Sequence, residues 1–197
     1  MNNLNIINCA EINNGKVYVN AQIKHTLDRH FTIISKELYR IYCKGYGKFF
    51  KMDSLSKLGF LTCEILLKDA NINNFNPSEV ALVMGNSKSS LSTDIKYYET
   101  TNAIASPALF VYTLPNIVMG EICIKNGFKG ENLFFVSEEY NENELNENID
   151  IILKNSSTQY VIAGWIDFID EENYKSVLYL IYRNYSAAKI KATDYTD

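Results

Sequence analysis

The sequence predicts an α/β fold in three layers, a largely parallel sheet held between helices. Three observations predict it. Helix-like and strand-like patterns alternate from residue 53 to residue 182, the order that builds a sheet covered by helices. Two short continuous apolar runs, residues 80–84 and 133–136, have the pattern of strands buried on both faces. The breaks between patterns carry Gly, Asn and Pro, the residues turns require.

The elements follow in chain order. Residues 4–9 are a short apolar run bounded by Asn, a first strand. Asn13, Asn14 and Gly15 signal a tight turn, and residues 16–20 return as the second arm of a hairpin. Residues 21–52 are basic and aromatic and read as a helical insertion. Phe31, Ile34, Leu38 and Ile41 place a helix over 28–42, and Gly45 and Gly47 break the chain after it. Asp53 or Ser54 caps the next helix, which runs to about Ala70 on the spacing of Leu55, Leu58, Thr62, Ile65 and Leu66. Residues 85–93 are small and polar, a loop at a strand's carboxyl end, where open α/β sheets hold ligands. Ser87, Ser89 and Ser90 are its candidate ligand-binding residues. After an extended entry from Ser106, Pro115 suits the first turn of a helix that ends at Asn126, with Gly127 as its left-handed stop. Ile117, Val118, Ile122, Cys123 and Ile124 make that helix apolar nearly all round, so it expects cover on several sides. Residues 141–154 form a polar helix with a narrow stripe at Leu145, Ile149, Ile152 and Leu153. Residues 160–165 and 177–182 are the last strands. The domain is residues 1–185, and 186–197 are a tail.

Composition excludes several classes. The chain has 197 residues and a net charge of −4, with a pI near 5.3, which argues against a nucleic-acid surface. The length suits one domain, or half of a larger two-part fold. The four cysteines are scattered with no C-x-x-C pair, and the two histidines are five residues apart, so neither a metal site nor a cofactor is expected. Asn2, Asn3 and Asn5 interrupt any opening apolar run, and no stretch is long and apolar enough to span a membrane. The expected compartment is a reducing cytoplasm, with no membrane partner.

Six motifs, in their order and spacing, resemble the amino-terminal half of the β-ketoacyl synthases, enzymes of the thiolase-like fold. Lys51-Met52-Asp53-Ser54-Leu55-Ser56-Lys57-Leu58 resembles the opening of the family's first long helix. Residues 81–90 resemble its second strand and the turn after it. Leu114-Pro115-Asn116 with Gly120 resembles its buried helix, and Gly127 with Gly130-Glu131-Asn132 the turn before the nucleophile strand. Val161-Ile162-Ala163-Gly164-Trp165 resembles a strand ending in a Gly pair, with Trp165 in place of the second Gly. Residues 177–182 resemble the last strand of the half-fold. The resemblance covers residues 50–183. It implies a thiolase-like half-fold with a mostly parallel five-stranded sheet, and the relatives it suggests are the shortened synthase-like proteins of bacterial aryl-polyene and flexirubin-type pigment pathways.

Two departures shape the functional expectation. The family's nucleophilic cysteine falls near Glu139, beside Glu138. A carboxylate there cannot form the acyl thioester, so no catalytic residue is expected. The two histidines of the family's second half have no counterpart, since His25 and His30 lie at the other end of the chain. The resemblance then implies a catalytically inactive synthase-like subunit that pairs with itself or with an active synthase in a fatty-acid or polyketide pathway of aryl-polyene type. Acyl carrier protein is a further implied contact. The alternative is an acyl-thioester decarboxylase or hydrolase working without the Cys-His-His set. Candidate partner-binding residues are Arg29, Lys36 and Arg40 in the basic first quarter, and Leu133 and Phe135 on the strand near which the family pairs its sheets.

Overall fold

A computed structural model describes residues 4–70 and 75–183. Its elements are β1 (Asn5–Asn13), β2 (Lys16–Val19), β3 (Gln22–Thr26), α1 (Phe31–Tyr42), α2 (Ser54–Ala70), β4 (Val80–Asn86), α3 (Leu91–Thr100), α4 (Pro107–Val111), α5 (Ile117–Asn126), β5 (Asn132–Val136), α6 (Glu142–Asn155), β6 (Tyr160–Phe168) and β7 (Tyr174–Tyr182). Short 3-10 turns at Gly47–Lys51 and Pro77–Glu79 lead into α2 and β4. The tail expected from residue 186 lies outside the described residues.

The strands form one seven-stranded sheet among the described residues, in the order β3-β2-β1-β7-β6-β4-β5. This corrects the expected five-stranded, mostly parallel sheet. Only β4–β5 and β4–β6 pair in parallel; β1–β2, β1–β7, β2–β3 and β6–β7 are antiparallel. Connection length explains β1–β2, β2–β3 and β6–β7, which are joined by links of two to five residues, because a parallel pair needs a crossover of about a dozen residues. The chain between β1 and β2 is Asn14-Gly15 with φ of 43° and 89°, the mirror-image turn that closes a tight hairpin. The insertion read as helical opens with β3, whose face is exposed along most of its length. Backbone pairing with β2 holds it in place without an apolar pattern to announce it.

Two cores flank the sheet. On one face α1, α2 and α5 bury Phe31, Ile34, Leu38, Leu58, Leu61, Val118 and Ile122 against Ile12, Leu82, Ile162 and Leu178. On the other face α6 alone packs Leu145, Ile149 and Ile152 against Ala81, Val83, Val161, Ala163 and Ile181, with Leu133 and Phe135 beside them. The strand alternation sends odd and even residues to opposite cores. Among the described residues α6 covers only the β4–β5–β6 side, and no described helix covers the outer part of that face beside β7 and β1.

The caps follow local chemistry. Asp53 Oδ1 accepts the Ser56 N–H at 2.9 Å, which makes Asp53 the cap of α2. Asn141 Oδ1 accepts the Asn143 and Glu144 N–H groups and starts α6. Gly127 ends α5 at φ 73°, as expected of a left-handed stop. The entry expected to be extended contains α4, started by Ser106 Oγ accepting the Leu109 N–H and by Pro107 in the first turn. α5 buries Val118, Met119 and Ile122, while Ile124 on its other side is 61% exposed.

Candidate functional site

The carboxyl ends of the three parallel strands converge on one cavity of about 440 Å³. Ser87 comes from the loop after β4, Glu138, Glu139 and Tyr140 from the loop between β5 and α6, Trp165 and Asp167 from β6, and Lys175, Val177 and Tyr179 from β7. The cavity opens on the face that α6 leaves uncovered. The three β7 residues alternate with Ser176 and Leu178, which point to the main core.

A hydrogen-bonded frame holds the cavity floor. Asp167 Oδ1 accepts both the Ser87 backbone N–H at 2.8 Å and the Ser87 hydroxyl at 2.9 Å. Its other oxygen accepts the Trp165 indole N–H at 2.5 Å. The indole is therefore oriented by a charge-assisted bond, with Phe135 5.9 Å away on one side and Tyr140 5.7 Å away edge-on. Lys175 is tied to Glu11 at 3.5 Å. Burial pushes the Tyr179 hydroxyl up to about 12, aided by Cys9, Tyr140, Glu11 and Glu142. Burial also raises Tyr140, with help from Glu142. Both phenols are neutral near pH 7.

The residues singled out in sequence divide. Ser87, Glu138 and Glu139 meet at the cavity. Ser89 and Ser90 do not. Ser89 sits at φ 51° in a turn braced by Asn86, whose side chain accepts the Ser89 N–H and donates to the Ser89 carbonyl. Ser90 Oγ bonds Asp94 and the Thr113 carbonyl, so both hydroxyl-bearing turns serve the start of α3. Arg29, Lys36 and Arg40 are exposed; Lys36 and Arg40 share one face of α1 at four-residue spacing. Leu133 and Phe135 lie on the edge strand β5, half-buried against the α6 core. No cysteine or histidine lines the cavity. His25 instead contacts the Tyr42 hydroxyl at 2.8 Å, and His30 lies 3.4 Å from Glu171. Among the described residues no three His, Cys, Asp or Glu side chains converge as a metal site, and no helix is long and apolar enough to cross a membrane.

Sequence reasoning missed Trp165, Tyr140, Asp167 and Tyr179 as cavity residues. The one available signal was Trp165 standing where the resemblance expects a small residue; the other three are ordinary strand and loop residues until the sheet is assembled.

No family model and no curated protein matches the chain. Solved structures do. The ishigamide ketosynthase/chain length factor superposes with a TM-score of 0.69 at 13% identity, over 90% of this chain and 61% of that one. A ketosynthase in complex with its chain length factor from Xenorhabdus doucetiae gives 0.59 at 14% identity, over 92% of this chain and 79% of that one. A type II polyketide ketosynthase, solved with its acyl-carrier protein and bound to the hexaketide, gives 0.65 at 10% identity, over 95% and 64%. The fold is that of the ketosynthases. The chain spans about three fifths of the ishigamide protein's length. The loop after β5, with Glu138 and Glu139, forms one wall of the cavity.

Proposed function

We propose that this chain is a non-catalytic ketosynthase-like subunit that pairs with a second copy or with an active ketosynthase in polyketide or fatty-acid synthesis of aryl-polyene type. One observation carries the reading. Among the described residues, the segment between β4 and β5 exposes large apolar side chains: Leu91, Ile95 and Tyr98 of α3, Ile104, Phe110, Val111 and Leu114 around α4, and Ile124 of α5. Tyr98 is 72% exposed and Ile104 88%. Monomers rarely leave such a run bare, and it fits an interface. The ketosynthase fold supports the same reading, since two neighbours are chain length factor proteins or their complexes. The edge of β5, unpaired among the described residues and carrying Leu133 and Phe135, is a second candidate part of the contact.

Acyl carrier protein is the further partner. Lys36 and Arg40 on one face of α1, with exposed Arg29 ahead of the helix, form its docking surface, because exposed cations speed encounter with an acidic protein and make it salt-sensitive. The alternative of acyl-thioester decarboxylation or hydrolysis is disfavoured by the cavity itself. It has no thiol or imidazole, and Glu138 and Glu139 would repel a malonyl carboxylate.

Light scattering at micromolar concentration tests the pairing. The expected result is a dimer, or a one-to-one complex once an aryl-polyene-type ketosynthase is added. A well-behaved monomer that ignores the ketosynthase overturns the proposal. Thioester turnover equal in the wild type and in Glu139→Ala, at the level of buffer, is expected; turnover that Glu139→Ala abolishes restores the enzyme reading.

A further inference from the structure

We propose that the cavity between the β5–α6 loop and β7 binds a small organic cation, an ammonium group carried on an apolar body. The volume and the walls come first. About 440 Å³ is room for a small molecule, and Trp165, Tyr140, Tyr179 and Val177 give the space aromatic and aliphatic sides. The Trp165 ring is held by Asp167 and flanked by Tyr140 and Phe135, so its orientation is set before a ligand arrives. The faces of Trp and Tyr rings attract cations through their quadrupoles.

Charge then selects the ligand. Of the four charged residues at the cavity, Lys175 is neutralised by Glu11, and Asp167 is committed to Ser87 and Trp165. Glu138 and Glu139 remain, both exposed and neither bonded within the described residues. The amino end of α6, which would otherwise favour an anion, is already answered by the Asn141 side chain and by Glu142 and Glu144 in its first turn. A metal cation fits poorly, because calcium and magnesium need six or more oxygen ligands and the walls are largely carbon. An acyl or malonyl anion meets two unpaired carboxylates. An ammonium with a hydrocarbon or aromatic body satisfies both the walls and the rim.

Trp165 is the chain's one tryptophan, so its fluorescence, excited at the red edge of its absorption, reports this cavity directly. Titration of the full chain with benzyltrimethylammonium chloride is expected to change the emission saturably, and phenylacetate is expected to leave it unchanged. The double substitution Glu138→Gln/Glu139→Gln, at exposed positions that tolerate it, is expected to weaken the cation about tenfold. Tyr140→Ala is expected to weaken it about fivefold while keeping the reporter. Added sodium chloride reduces the affinity of the wild type and has less effect on the double variant. Absence of a saturable response to the cation, binding of phenylacetate as tight as that of the cation, an equal response to calcium chloride, or an unchanged affinity in the double variant each overturns the proposal. The titration reads the cavity in monomer and dimer alike, so the pairing proposed above can fail without touching this result.

Discussion

Gly164 shows how a single atom constrains the site. A Cβ there would lie 1.9 Å from the Val177 carbonyl oxygen on the neighbouring strand, inside the β6–β7 ladder that carries Trp165 and Val177 opposite each other. No side chain can move to relieve a clash with backbone. Gly164→Ala is expected to cost about 3 kcal/mol, read as a lowered urea midpoint, and to disturb Trp165 emission. The resemblance marked this glycine in the sequence, but the pattern alone did not say what it makes room for. Burial pushes the Cys43 thiol up to about 12, with Glu64 adding to the effect and Lys125 and Lys68 opposing it. Cys9 is pushed up to about 11 by burial and then Glu11. An unfolded thiol ionises near pH 8.5, so above that pH the unfolded chain loses protons that the folded chain keeps. Stability is therefore full below about pH 8.5 and falls as pH rises toward 11–12. Urea midpoints across pH 7 to 11 should be flat and then decline, with a shallower decline in Cys43→Ala; a midpoint that rises above pH 9 contradicts the assignment.

At the scale of elements, Asp53 joins two helices. One oxygen caps α2 through the Ser56 N–H and the other accepts the Thr93 hydroxyl of α3 at 2.6 Å. Asp53→Ala is expected to lower stability by about 2 kcal/mol, since it removes a cap and strands a buried hydroxyl. Asp53→Asn should recover about half of this, measured by thermal unfolding followed by circular dichroism. The capping role was legible because Asp and Ser stand together before a helical period. The bond to Thr93 was not, because 40 residues separate the partners. α2, α5 and α6 were readable from their own spacing and stops. Residues 85–93 read as a loop and the entry from Ser106 as extended, so α3 and α4 had no helical stripe to announce them; Thr93 is the one buried residue of α3. β3 was hidden for the same reason.

At the scale of the whole molecule, the apolar surface of α3, α4 and α5 makes assembly the property to test. Phe110→Glu with Ile124→Glu is expected to turn the dimer, or the complex with a ketosynthase, into monomer by light scattering. Both side chains are already exposed on the single chain, so thermal stability of the monomer should change by less than about 0.5 kcal/mol. Binding to an acidic acyl carrier protein at low salt should weaken about tenfold in Arg29→Glu/Lys36→Glu/Arg40→Glu, as seen by fluorescence anisotropy; an unchanged affinity removes that surface from the account.

The sequence by itself determined the α/β class, the long helices with their caps and the one strand, β4, buried on both faces, because each rests on periodicity or turn chemistry within a few neighbouring residues; the likeness to the ketosynthases came from motif resemblance, and residues 133–136, expected to be buried on both faces, are instead a half-buried edge strand. Only the tertiary structure decided that the sheet is mixed, that α6 is the one described helix on its second face, and that residues from 87 to 179 close one cavity. Those outcomes depend on which strand edges meet and where one helix stops covering the sheet, and such long-range pairings leave no local mark in the chain.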